Sequence, residues 1–248
     1  MNTKIEQKVA LSKWLARAGA ASRRESTKII TAGLVAVNGK IIKAPFFRID
    51  ESLDVIEYHG KIVRANTTKH YYLINKPIGV VSSTTGEQGS HQAVTDLLPK
   101  SDRLYPVGRL DRASEGLLIL TNDGDVAYRL THPKFQVEKT YHVLVSGELN
   151  PHKIIRLTAG VMLKGIKTNP ATVKILEKQG NATWLEIIIS QGRFHQIRRM
   201  CSAVFLQVER LVRTKEGELE LGDLPVGKWR KLSPSEVDHL KQIMLPEP

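Results

Sequence analysis

The sequence predicts an α+β fold in two domains, and three observations carry that prediction. Helix-period and strand-period segments mix without strict β-α alternation, which favours a mixed, largely antiparallel sheet flanked by helices over a doubly wound one. The charge is lopsided: of 37 Lys and Arg against 25 Asp and Glu, ten basic and two acidic side chains fall in residues 1–48, so that segment holds +8 of the net +12. The 248 residues are 41% apolar, enough for real cores, and a 25% charged fraction excludes a mainly disordered chain. The domains are expected at residues 1–65 and 70–248, joined by the polar linker Asn66-Thr67-Thr68-Lys69.

In the first domain Leu11, Trp14, Leu15 and Ala18 recur at helical spacing, and Gly19 ends that helix. Ser22-Arg23-Arg24-Glu25 reads as a capping box, in which the Ser22 hydroxyl and the Glu25 carboxylate satisfy free amides at the start of a second helix. That helix turns Ile29 and Ile30 inward and stops at Gly33. Arg23 and Arg24 occupy its first turn, where the helix dipole disfavours cations, so an opposing phosphate would account for them. Leu34 to Val37, Asn38-Gly39 and Lys40 to Ile42 make a hairpin. Asp54 to Tyr58, His59-Gly60 and Lys61 to Val63 make a second one. A charge run of this kind, taken alone, reads most simply as solvated surface.

In the second domain Tyr71 to Ile74 is a strand running into the turn Lys76-Pro77-Ile78-Gly79. Leu117 to Leu120 is apolar at every position, as a strand buried on both faces requires, and Asn122-Asp123-Gly124 closes it. Asp125 to Leu130 forms a short helix that stops before Pro133. Tyr141 to Val145 and Trp184 to Ile189 alternate as half-buried strands. After Gly192, the residues Ile197, Met200, Cys201, Val204 and Phe205 mark a helix with one apolar face.

Several function classes fall away at this stage. A single cysteine excludes a disulfide framework and a thiolate-clustered zinc site, and on its helix face Cys201 reads as an inert core thiol. No apolar run approaches the roughly 18 residues of a membrane span. Residues 1–8 lack the apolar stretch of a signal peptide, so a cytoplasmic protein without membrane contact is expected. The eight histidines show no metal-ligand spacing, and no P-loop or Rossmann glycine pattern occurs. Asp111, between Arg109 and Arg112, reads on its own as a structural ion pair; a carboxylate pair with Glu115 lacks support.

Residues 11–40, with the basic helix pair, Ser22 to Glu25 and GLVAVNGK (33–40), resemble the S4-type RNA-binding domain. The stretch VGRLDRASEGLLILTNDGD (107–125) resembles the catalytic segment of pseudouridine synthases. INKPIGVVSS (74–83), EKTYHV (138–143) and QGRFHQIRRM (191–200) agree with that family in order. With the N-terminal module the likeness runs from about residue 8 to 235 and points to the ribosomal RNA branch. Gly108, where another large branch has His, argues against that other branch.

The resemblance implies that Asp111 is the catalytic aspartate, acting on a uridine whose C1′–N1 bond is cut and rejoined through C5. Attack on C1′ and proton removal to a glycal-like intermediate both remain open. It implies that Tyr141 stacks on the uracil and that Arg198 pairs with Asp111, holding it ionised through a bidentate grip; Arg199 is the rival for that task. Arg109 is expected to enter the stack vacated by a flipped uridine, with a phosphate contact or ion pair as its alternative. Leu211 is expected to pack beneath the target base or simply in the core. Lys76, Arg23 and Arg24 are candidates for RNA phosphate. His195 reads as a helix-start or RNA contact. Ser114 keeps the family's hydroxyl, while Arg112 departs from it and bears on which RNA is accepted. No cofactor and no metal are implied, and the expected partner of a monomeric enzyme is ribosomal RNA or a pre-ribosomal particle, with the large subunit favoured. The alternatives are a non-catalytic RNA-binding assembly factor, which would not need Asp111, Tyr141 and Arg198 together, and a synthase for small-subunit or transfer RNA.

Overall fold

Leu11 and Leu15 stand one turn apart on α1 (Leu11–Arg17) and are fully buried beside Trp14, as their spacing requires. The structure is a computed structural model that describes residues 8–65, 67–86, 91–99 and 103–242. Asn66 of the expected linker, and Lys4 and Glu6 of the charged segment, lie outside the described residues. The chain divides into two units, Met1–Lys69 and His70–Pro248.

In the first unit α1 packs on α2 (Arg23–Thr31). They share a core with a sheet of β1 (Val35–Val37), β2 (Lys40–Ile41), β3 (Ile56–Tyr58) and β4 (Lys61–Ile62), in the order β2-β1-β3-β4. Both hairpins turn on a left-handed pair, Asn38-Gly39 (φ 51 and 76) and His59-Gly60 (φ 50 and 69), whose twist matches that of the strands. At the start of α2 the Ser22 hydroxyl accepts from the Glu25 amide at 3.1 Å. The Glu25 carboxylate turns instead to Lys28 at 3.5 Å, so half of the expected capping box is in place. Arg23 and Arg24 are exposed.

The second unit is built on a nine-stranded sheet. Its strands are β5 (Tyr71–Lys76), β6 (Tyr105–Val107), β7 (Glu115–Thr121), β8 (Lys139–Ser146), β9 (Thr172–Gln179), β10 (Ala182–Ile189), β11 (Gln207–Glu216), β12 (Leu219–Glu220) and β13 (Trp229–Lys231). The order is β9-β10-β8-β11-β7-β5-β13, with β12 on β11 and β6 on β7. Every pairing is antiparallel except β11 with β7, where Val212 faces Glu115 and Arg213 faces Gly116 in parallel. The helices are α3 (Gly124–Thr131), α4 (Pro151–Thr158), α5 (Gln196–Ser202) and α6 (Pro234–Gln242).

Two apolar layers cover the sheet. Ile74, Leu118, Leu120 and Val143 pack with Leu157 of α4 and with Ile197 and Met200 of α5. Leu73, Leu117 and Ile119 pack with Val126 and Leu130 of α3 and Leu240 of α6. Leu117 to Leu120 is therefore apolar throughout because both faces of β7 are buried; each such Leu or Ile is worth about 1.5–3 kcal/mol of burial. The helix expected to run through Phe205 ends sooner. Phe205 takes a left-handed φ of 58, its amide bonds to the Ser202 carbonyl and the Leu206 amide to the Cys201 carbonyl, both at 3.0 Å. This Schellman-type cap turns Phe205 out to solvent, 81% exposed, and gives the buried place to Leu206.

Candidate active site

Asp111 stands on the loop between β6 and β7, and two glycines with left-handed or similar φ bracket it, Gly108 (φ 70) and Gly116 (φ 108). A Cβ at Gly116 would overlap the Arg213 backbone, so the parallel contact of β7 with β11 requires glycine there. Side chains from distant segments brace the loop between them. The Ser82 hydroxyl donates to the Leu110 carbonyl at 2.8 Å and accepts from the Leu110 amide at 3.0 Å. Arg198 donates to the Ala113 carbonyl at 2.8 Å and Lys76 to the Ser114 carbonyl at 2.8 Å. The Gly79 amide bonds to the Arg112 carbonyl at 2.8 Å, and the Ser114 amide closes on the Asp111 carbonyl at 2.9 Å. The backbone under Asp111 is thus fixed, while its side chain stays 30% exposed.

A cavity of about 480 Å³ opens beside the loop; Arg109, Asp111, Tyr141, His195, Leu211 and Arg213 are among its lining residues, within the size range of small-molecule sites. Tyr141 and Leu211, from the paired strands β8 and β11, are almost fully buried. Arg213 is buried beside them, lines the same cavity, and donates from Nε to the Leu117 carbonyl at 2.8 Å. Glu216 lies 3.2 Å from Arg213 and 3.6 Å from Lys139, which compensates these buried cations. Burial raises the Tyr141 phenol above its ordinary range, against the opposing charge of Arg213, so the hydroxyl stays neutral.

A model of the RNA pseudouridylate synthase family matches residues 70–203, and one of the S4 domain matches residues 11–55. The chain belongs to the RNA pseudouridylate synthases and carries an S4 domain. The synthase is 39% identical to the ribosomal large subunit pseudouridine synthase B of Bacillus subtilis (strain 168), over 94% of this chain and 96% of that one. It is 33% identical to the dual-specificity RNA pseudouridine synthase RluF of Escherichia coli (strain K12), over 96% of this chain and 80% of that one. A crystal structure of a pseudouridylate synthase, 31% identical, covers 94% of this chain and 99% of its own, with a TM-score of 0.68.

Four of the residues singled out in the sequence, Asp111, Tyr141, Arg109 and Leu211, line one cavity of the synthase. Arg198 does not line it and is not paired with Asp111. Its guanidinium is taken up instead by the Ala113 and Val208 carbonyls, to which it donates at 2.8 and 3.3 Å. Arg199 donates to the Phe194 carbonyl at 3.5 Å. Lys76 is no RNA contact: it is wholly buried, the last residue of β5 rather than part of a turn, and donates to the Pro77 and Ser114 carbonyls at 2.9 and 2.8 Å. Burial lowers its ammonium to about 8, against the attraction of Asp111 and Glu115. Glu115 is no second catalytic carboxylate, since Arg210 holds it through bonds of 2.5 and 3.2 Å. Arg112 contacts His91. Cys201 is buried, with its thiol pushed up to about 12 by desolvation.

Three residues at the cavity had drawn little or no attention in the sequence. Arg213 lies outside the segments that carry the family resemblance. His195 places Nε2 3.4 Å from Asp111 Oδ1. Phe194, beside it, lines the same cavity. Among the described residues no group of three or more His, Cys, Asp or Glu could hold a metal, and no helix is long and apolar enough to cross a membrane.

Proposed function

We propose that the synthase converts a uridine of large-subunit ribosomal RNA to pseudouridine with Asp111 as its catalytic carboxylate. The observation that carries this reading is the placement of Asp111: a partly open carboxylate on a loop braced at Leu110, Ala113 and Ser114, at the wall of the cavity holding Tyr141 and Leu211. The large subunit is favoured by the relative named as a large-subunit enzyme. Asp111 acts at C1′ either through an ester bond that forms as C1′–N1 breaks and is itself broken as C1′–C5 forms, or by removing a ribose proton as C1′–N1 breaks and returning it as C1′–C5 forms. C5 then loses its proton and N1 gains one. The product is an isomer of the substrate, so the reaction calls for no oxidant or reductant.

In this reading Tyr141 stacks on the uracil and Leu211 packs beneath it. Arg198 is a positioning residue that acts on Asp111 through the Ala113 carbonyl. Arg109 fills the gap left by the flipped uridine, offsetting the few kcal/mol lost on unstacking. Arg23 and Arg24 of the S4 domain meet RNA phosphate. The enzyme works as a cytoplasmic monomer without a cofactor, on ribosomal RNA or a pre-ribosomal particle. The test is pseudouridine mapping in RNA from cells lacking the synthase and from cells resupplied with wild type or Asp111→Asn. One large-subunit site should vanish, return with wild type, and stay absent with Asp111→Asn although that variant still binds RNA. Turnover by Asp111→Asn would remove Asp111 from its role, and loss of a small-subunit or transfer-RNA site instead would reassign the substrate.

A further inference from the structure

We propose that Phe194 and His195 form a two-ring shelf at the cavity mouth, on which the base next to the target uridine stacks. This rests on the reading above that the cavity takes a uridine, and it adds a second RNA-binding position. The two rings lie nearly parallel, 17° apart with centroids 3.8 Å from each other, and both residues line the cavity. One face of Phe194 is covered by the imidazole, yet the residue is 76% exposed. An exposed phenyl ring at the edge of the cavity presents a π-face, which every nucleobase can use regardless of sequence.

The shelf is built rather than incidental. His195 holds a left-handed φ of 51 just before α5, a conformation that costs a non-glycine residue about 1–2 kcal/mol. The segment is tied on both sides of it: the Arg193 amide donates to Gln196 Oε1 at 3.0 Å and the Gln196 amide to the Arg193 carbonyl at 3.0 Å. Arg199 reaches back to the Phe194 carbonyl at 3.5 Å. Nε2 of the imidazole lies 3.4 Å from Asp111 Oδ1. Tyr141 and Leu211 are buried deep in the cavity, so the flipped uracil belongs to them. Phe194 on the rim is left for a neighbour that stays in the strand. Arg109 and Arg193 also line this cavity, which suits a base that brings its phosphate and does not suit an apolar protein surface.

The experiment uses the full-length protein and a hairpin fragment of the RNA it binds, with 2-aminopurine on the 5′ or the 3′ side of the uridine. Binding to wild type should change 2-aminopurine fluorescence at one of the two positions, and Phe194→Ala should abolish that change while Phe194→Trp restores it. In turnover, Phe194→Ala should raise KM at least fivefold with kcat within twofold of wild type, from the usual worth of one base stack. Making the flanking nucleotide abasic should weaken wild type equally and leave Phe194→Ala indifferent. The same fluorescence change in wild type and Phe194→Ala would overturn the shelf, as would independent, multiplicative effects of the variant and the abasic site. A wild-type protein that converts no uridine would overturn the proposed reaction instead, while the fluorescence still decides the shelf. Phe194 lies on the surface, so an unchanged melting temperature separates these outcomes from misfolding.

Discussion

At the scale of single residues, the Asp111 loop depends on positions that look unremarkable in the sequence. Gly116 allows the backbones of β7 and β11 to touch, and Gly108 only has to hold a left-handed φ with ordinary room near Thr131. Gly116→Ala should therefore destabilise the fold by more than about 2 kcal/mol, since strain and overlap combine. Gly108→Ala should cost about 1 kcal/mol, for conformation alone. Urea denaturation of the two variants checks the difference, and equal losses would refute the close-contact explanation. The place of Asp111 at a cavity could be anticipated because four segments in order resemble one family. The true position of Lys76 was not legible. A lysine before Pro77 reads as a turn, and only the pairing of β5 beside β7 shows that its ammonium is enclosed and satisfied by carbonyls. Arg213 was hidden for a related reason: an arginine in an alternating strand gives no sign that both of its neighbouring strands will bury it.

At the scale of elements, the two Ser-x-x-Glu starts behave differently. At α6 the Ser233 hydroxyl accepts from the Glu236 amide at 3.2 Å and Glu236 accepts from the Ser233 amide at 2.7 Å, a complete capping box. Arg230 of β13 grips the same carboxylate at 2.7 and 2.8 Å. Its guanidinium, with further help from Ser233, pulls the Glu236 carboxyl down to about 2 from 4.5. A lowered folded value means stability that is present above pH 4.5 and lost as pH falls toward 2. Glu236→Gln should cost about 1 kcal/mol at neutral pH. The gap between variant and wild type should close on acidification through that window, as denaturation at a series of pH values would show; a gap independent of pH would contradict it. Sequence alone could not rank the two boxes. Glu25 is exposed and drawn to Lys28, whereas Glu236 is held in its box by an arginine of the preceding strand.

At the scale of the whole molecule, the uneven charge was the first visible clue, and it coincides with the S4 domain. With Arg23 and Arg24 on phosphate, replacing both by Ala should lower the slope of log K against log salt by about 2; filter binding across a salt series measures it, and an unchanged slope would remove them from the interface. The α+β class and the antiparallel bias were legible because alternation and buried runs are local patterns. The parallel pairing of β7 with β11 was not, because no local pattern encodes which distant strand lies alongside. That pairing also has a consequence in time. Leu117 and Arg213 are 96 residues apart in the chain, yet their bond helps to frame the Asp111 site. A nascent polypeptide that has not yet released β11 from the exit tunnel contains its carboxylate but lacks the wall that shapes the cavity. The cavity therefore cannot take shape until β11 has been made, and a chain truncated before β11 is without it.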